Sequence, residues 1–200
     1  CEAMHKGVQV AVVVGGGNIF RGASLAEQGI DRICADSVGM LSTVINAMIL
    51  SDIFEQRGVE THILSAISVP GMAEPFSVKQ SKQVLRKGAL LILAGGTGNP
   101  LVTTDSAASL RAVEIGADVL LKATRVDGVY STDPLRSEAE KYQKISFEEV
   151  IAKDLKVMDK GAFVQCHQFS LPICVFDVNR PKALLRALGG ESEGTLISGD

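Results

Sequence analysis

Short apolar runs recur along the chain, two of them ending on glycine. Residues 8–14 read Val-Gln-Val-Ala-Val-Val-Val and stop at Gly15. A β-branched run with almost no polar alternation predicts a strand covered on both faces, as in a parallel sheet. The same cadence returns at 61–64, 89–94, 119–123 and 173–176, with helical spacing between most of these runs. Leu41, Val44, Ile45, Met48 and Ile49 recur at helical intervals. They predict a helix laid on the sheet by that stripe, with Gly58 stopping the chain after Arg57. Ala107, Leu110 and Val113 form a second stripe, which Thr104 or Asp105 is placed to cap and Gly116 to end. Strands alternating with helices predict an α/β fold around a mainly parallel sheet. Asp127-Gly128 reads as a tight turn, and Asp133-Pro134 opens a polar loop that reaches about Lys144. No repeat and no Pro/Ser-rich linker interrupts the 200 residues, which read as a single domain.

Composition narrows the function classes. A hydrophobic content of 46% supplies one substantial core. The net charge of -3 comes without any basic run, so the chain is not expected to bind a nucleic acid polymer. No apolar stretch is expected to reach the ~18 residues of a membrane span, and the N-terminus lacks a basic-then-apolar leader pattern; the expected address is the cytoplasm. Cys1, Cys34, Cys166 and Cys174 form no C-x-x-C pair and read as reduced thiols. With 4% aromatics and no Trp, a base-stacking platform is not supported.

Gly15-Gly16-Gly17-Asn18 and Gly95-Gly96-Thr97-Gly98-Asn99 each follow an apolar strand. Glycines here let a ligand approach the backbone and meet its amide hydrogens, a setting that suits anionic oxygens. One such turn is explained equally well as a tight strand-to-helix connection; two together point to phosphate handling. Neither is a P-loop, because the lysine is missing, and Phe20 and Leu101 stand where G-x-G-x-x-G needs its third glycine. Arg21 is placed to fork onto a phosphate, and Lys122, at a strand end, to set a point charge over a transferring group. Asp105 could orient those cations. Phosphoryl transfer asks for such alignment and charge compensation, usually with magnesium helping. Taken singly, Asp105 also reads as a helix cap, Lys122 as a snorkelling surface residue and Arg21 as solvated. Asp36, ahead of the long helix, suits either sugar hydroxyls or a cap. His5, His62 and His167 are not spaced as metal ligands and read as structural. Ser106 lacks the G-x-S-x-G context of a serine hydrolase.

Four blocks occur in order: Gly-Gly-Gly-Asn-Ile-Phe-Arg-Gly at 15–22, Gly-Thr-Gly-Asn-Pro at 96–100, Thr-Thr-Asp-Ser-Ala-Ala at 103–108, and Lys-Ala-Thr-Arg-Val-Asp-Gly-Val-Tyr at 122–130. Lys156-Val157-Met158-Asp159 and Gly194-Thr195-Leu196-Ile197 close the pattern. In these the chain resembles the bacterial UMP kinases of the amino-acid kinase superfamily. The Lys122 block marks only the superfamily; the first two blocks with Asp36 narrow it to the uridylate branch. The resemblance implies a three-layer αβα sandwich, transfer of the ATP γ-phosphate to UMP, magnesium carried with ATP, a homohexamer, and UTP and GTP as effectors. It implies that Gly16, Asp36, Thr97, Gly98, Asn99, Pro100, Leu101, Val102, Thr103 and Thr104 hold UMP, with Asp36 on the ribose. Gly17, Arg21, Thr124, Tyr130 and Asp133 would serve ATP, Lys122 would stabilise the transferring group and Asp105 would organise the lysines.

The chain departs from the family pattern in three places. Ser37-Val38 stands where His-Met is usual, and Leu101-Val102 where two aromatics are usual. The family's opening strand, ending in Lys-Leu-Ser-Gly-Glu, and the helix after it are not among these residues, so the domain reads as N-terminally incomplete. A lost charged donor of that kind costs on the order of 10² to 10³ in rate. Two other readings therefore stay open: a sibling kinase acting on a carboxylate or carbamate, and a catalytically silent nucleotide-binding subunit.

Overall fold

The first apolar run is hydrogen-bonded as a strand over Ala11–Val13 in the computed structural model, which describes residues 1–132, 139–189, 191 and 193–199. Asp133, expected at ATP, and the Asp133-Pro134 opening of the polar loop lie outside the described residues. The chain divides into two compact units, Cys1–Ala108 and Ser109–Asp200.

In the first unit the elements are α1 (Glu2–His5), β1 (Ala11–Val13), α2 (Gly22–Glu27), α3 (Arg32–Glu55), β2 (Thr61–Ser65), β3 (Glu74–Pro75), α4 (Val78–Arg86) and β4 (Leu90–Ala94). α5 (Thr104–Ile115) runs across the division. The strands form one parallel sheet in the order β1-β4-β2-β3, with Ile92 of β4 opposite Val12 and Ile63. Every residue of β4 is buried, as its uninterrupted apolar sequence predicts for a central strand.

α3 lies on the sheet, but on a different face from the one expected. Val44, Ala47, Leu50 and Phe54 pack with Val14, Val59, Leu90 and Ile92. Of the predicted stripe only Val44 is buried; Leu41 is 49% exposed, Ile45 47%, Met48 40% and Ile49 54%. α3 is apolar around most of its circumference, so spacing alone cannot choose a face. The smaller side chains of Ser42, Thr43 and Ala47 allow the closer approach, which turns the buried line by one position, about 100°. The same breadth of apolarity gives α3 the length and composition of a membrane span, contrary to the expectation from sequence. Helix limits also shift two readings. Asp31 caps α3, accepting from the Cys34 amide at 3.0 Å, so Asp36 sits inside the helix rather than ahead of it. The Thr103 hydroxyl accepts from the Ser106 amide at 3.2 Å and caps α5, in place of Thr104 or Asp105. The stops at Gly58 and Gly116 are as read from the sequence, each at positive φ.

In the second unit β5 (Leu120–Thr124), β8 (Lys144–Ser146), β9 (Ile173–Asp177) and β10 (Thr195–Ser198) form a sheet in the order β5-β9-β10-β8. All pairs are parallel except β9 with β10. β6 (Val129–Tyr130) and β7 (Lys141–Tyr142) make a separate antiparallel ribbon. α6 (Phe147–Ala152) opens on a Ser146–Glu149 capping box, α7 (Lys160–Gln168) on Asp159, and α8 (Ala183–Leu188) follows β9. Phe147, Val150, Phe163, Cys166, Ile173 and Val175 are at the centre of this unit's core. The cysteines are all free thiols, and burial pushes Cys166 up to about 11. The mainly parallel α/β character is thus as expected, distributed over two four-stranded sheets and a ribbon.

Candidate active site

Both glycine-rich turns lie in the first unit and both rest on α3. Gly16 sits so close to the helix that a Cβ would fall 2.6 Å from the Gly39 carbonyl oxygen and 2.7 Å from Ser42 Cβ. Its own carbonyl accepts from Ile19 and Phe20, each at 3.0 Å, which closes the turn. The amides of Gly16, Gly17 and Asn18 donate to no protein acceptor among the described residues. Successive open backbone amides are the donors from which anion-binding nests are built. Arg21 folds back so that its Nε donates to the Gly17 carbonyl at 3.3 Å.

The second turn takes left-handed conformations at Gly95, Gly96 and Gly98. A Cβ on Gly95 would lie 2.8 Å from Ser65 Oγ and 2.9 Å from the Ala66 and Ile67 nitrogens. The Gly95 amide donates to Thr43 Oγ1 at 2.7 Å, and Thr97 Oγ1 accepts from the Asn99 amide at 3.2 Å. Beyond Pro100, Leu101 adopts φ +66°, and its amide donates to Asp36 Oδ2 at 2.9 Å. Arg32 Nε reaches both oxygens of Asp36 at 3.0 Å. Burial pushes the Asp36 carboxyl upward, but the Leu101 amide and the Arg32 guanidinium outweigh it and hold the group below its ordinary value. A Cβ on Gly22 would fall 2.1 Å from Asp36 Oδ1, so glycine is what lets α2 pass the carboxylate. Thr104 stands beside Gly15, with Oγ1 3.6 Å from where a Gly15 Cβ would be, and Asp105 occupies the first turn of α5. The residues expected around UMP are therefore gathered in one unit. Leu101 and Val102 are exposed there.

In the second unit Lys122 lies within β5 opposite Val175, and Thr124 ends the strand opposite Asp177. Thr124 Oγ1 accepts from the Val126 amide at 3.1 Å, turning the chain toward Asp127-Gly128. Asp127 is a hub that the sequence reading passed over as a turn residue. It accepts from Tyr130 Oη at 2.5 Å, Lys141 Nζ at 3.0 Å and Arg180 Nη2 at 2.9 Å. The Tyr130 hydroxyl, opposed by burial and assisted by the two cations, holds Asp127 below the usual carboxylate range. The carboxylate in turn raises the Tyr130 phenol. The sequence reading also passed over Thr43 and Asn46. Both are poor helix-interior residues, and they lie in the mainly apolar middle of α3. Among the described residues no three His, Cys, Asp or Glu side chains converge as a metal site.

The model of the amino acid kinase family matches residues 1–177. The chain belongs to the amino acid kinase family. Within the family it is 52% identical to the uridylate kinase of Coxiella burnetii over 98% of this chain and 81% of that protein. It is 49% identical to the uridylate kinase of Xanthomonas oryzae pv. oryzae over 99% of this chain and 83% of that protein. Among solved structures it superposes on the UMP kinase from Bacillus anthracis with a TM-score of 0.95 and 36% identity, covering 98% of this chain and 82% of that one. For the UMP kinase from Ureaplasma parvum the TM-score is 0.93 at 35% identity, covering 98% and 85%.

Proposed function

We propose that this chain is a UMP kinase, transferring the γ-phosphate of ATP to UMP to give UDP and ADP. One observation carries the proposal: two glycine-rich turns and the Asp36 carboxylate are assembled on a single helix, in a chain about half identical to uridylate kinases over nearly its whole length. In the reaction a UMP phosphate oxygen forms a bond to the γ-phosphorus as the bond to the ADP oxygen breaks, and charge spreads over the equatorial oxygens. The protein's part is alignment and neutralisation. Gly16, Asp36 and the tract from Thr97 to Thr104 serve UMP, with Asp36 on the ribose. Gly17, Arg21, Thr124, Tyr130 and Asp133 serve ATP. Lys122 stabilises the transferring group and Asp105 orients the cations. Magnesium would be carried with ATP, where it would help neutralise the charge that develops on the transferring phosphate.

The 200 residues are proposed to work as one amino-acid kinase domain, in pyrimidine nucleotide biosynthesis in the cytoplasm, with UTP and GTP as effectors. The assembly is proposed to be a homohexamer; the bare apolar side of α3 supports an assembly of copies. The test is phosphorylation by ATP of UMP, CMP, AMP and GMP in parallel, with carbamate, aspartate and glutamate derivatives as further acceptors. The expected result is UDP formation with kcat/KM for UMP at least about tenfold above every other acceptor, the equivalent of ~1.4 kcal/mol of transition-state binding. Equal use of the monophosphates, or a preference for a carboxylate or carbamate, overturns the proposal.

A further inference from the structure

Two polar side chains of α3 have no role in the scheme above, yet each holds one of the glycine-rich turns. Thr43 and Asn46 stand three residues apart, neighbours on one helix surface. Thr43 is buried; its hydroxyl donates to the Met40 carbonyl and accepts from the Gly95 amide, each at 2.7 Å. Asn46 Nδ2 donates to the Gly15 carbonyl at 2.7 Å and to Asn18 Oδ1 at 2.7 Å, and Asn46 Oδ1 accepts from Asn18 Nδ2 at 3.2 Å. Asn46 thus grips both ends of the first turn.

The direction of these bonds matters. A trans peptide unit points its C=O and N–H opposite ways. Fixing the Gly15 carbonyl on Asn46 therefore turns the Gly16 amide away from the side chain that holds it, and that amide is one of the three with no protein acceptor. At the second turn, with the Gly95 amide fixed on Thr43, the Ala94 carbonyl faces the other way and accepts from the Ala66 amide at 3.0 Å. One bond at each turn thus decides which backbone groups are spent on the protein.

Resting on the UMP kinase reading, we infer that Thr43 and Asn46 are positioning residues for phosphoryl transfer, holding the two glycine-rich turns in a fixed relation to one another through α3. Neither touches substrate; each acts by orienting backbone that does. Because small misplacements at a transfer site cost as much as about 10²-fold in rate, removing either grip is expected to be read in kinetics more than in stability.

The test compares wild type with Asn46→Ala, Thr43→Val and Thr43→Ser, measuring kcat, KM for UMP and for ATP, and Tm. Asn46→Ala is expected to lower kcat/KM for UMP by about tenfold or more, the scale of one lost orienting hydrogen bond. Thr43→Val is expected to do the same, and Thr43→Ser, which keeps the hydroxyl, to return kcat/KM to within about twofold of wild type. A variant set in which Tm falls but kcat and both KM values stay within twofold overturns the inference and leaves the pair purely structural. If Thr43→Val does not fold, Asn46→Ala alone decides, since Asn46 is only half-buried. A wild type without preference for UMP overturns the functional reading itself, a result separate from any behaviour of the variants.

Discussion

Asp36 shows how much one carboxylate can be asked to do. Its oxygens already accept from the Leu101 amide and Arg32, so a ribose hydroxyl would join a site whose acceptor is fixed in place beforehand. Asp36→Asn is expected to raise KM for UMP about tenfold while leaving KM for ATP within twofold, since a hydrogen bond to a charged group contributes roughly 1.5–3 kcal/mol; steady-state kinetics with each substrate varied in turn decides it. The same residue makes a pH prediction. The folded carboxyl lies below its ordinary value. Its stabilising contribution is therefore present above the unfolded pKa of about 3.9 and is lost as pH falls through the lowered folded value. Thermal unfolding of wild type and Asp36→Asn between pH 7 and pH 3 is expected to show a Tm gap that closes on acidification. A gap that widens toward low pH contradicts the assignment.

At the scale of elements, the glycine-rich turns and α3 behave as one packed object. Gly16→Ala puts a methyl group 2.6 Å from the Gly39 carbonyl oxygen and 2.7 Å from Ser42 Cβ, both on α3. Overpacking of this kind costs about 1–3 kcal/mol. The variant is expected to lose several degrees of Tm together with most of its activity, measured by calorimetry and by the UMP assay. The turns themselves were legible in the sequence because consecutive glycines after a β-branched run have few other uses. So were β1, β2, β4, β5 and β9, each announced by a short, mainly apolar run, and the stops at Gly58 and Gly116. What the sequence hid follows from ambiguity that only packing resolves. α3 presents apolar residues on several sides, so its buried face could not be chosen from spacing. Its start could not be placed because Asp31 and Asp36 are both plausible caps. Asp127 gave no sign of its three partners because Lys141 and Arg180 lie far from it in sequence and are brought to it by the ribbon and the end of β9. The short strands β3, β6 and β7, of two residues each, carry too little pattern to announce themselves.

At the scale of the whole molecule, the bare side of α3 is the feature that supports the proposed assembly of copies. Ile33, Leu41, Ile45, Met48, Ile49 and Ile53 are all at least 40% exposed along one helix of 24 residues. Soluble monomers rarely leave so long an apolar surface uncovered. In the proposed homohexamer another copy covers it. The double variant Ile45→Lys with Ile49→Glu is expected to sediment as a smaller species than wild type at equal concentration, while the buried line of Val44, Ala47 and Leu50 keeps each copy folded. Unchanged sedimentation removes α3 from the interface.

α3 also carries Thr43 and Asn46, which brace the glycine-rich turns. A copy that separates from its neighbours exposes the far side of the beam on which its own phosphate cradle is hung. In the proposed homohexamer, dilution is then expected to act as a chemical variable: turnover per active site falls as protein is diluted, and saturating UMP, by linkage, draws the subunits back together.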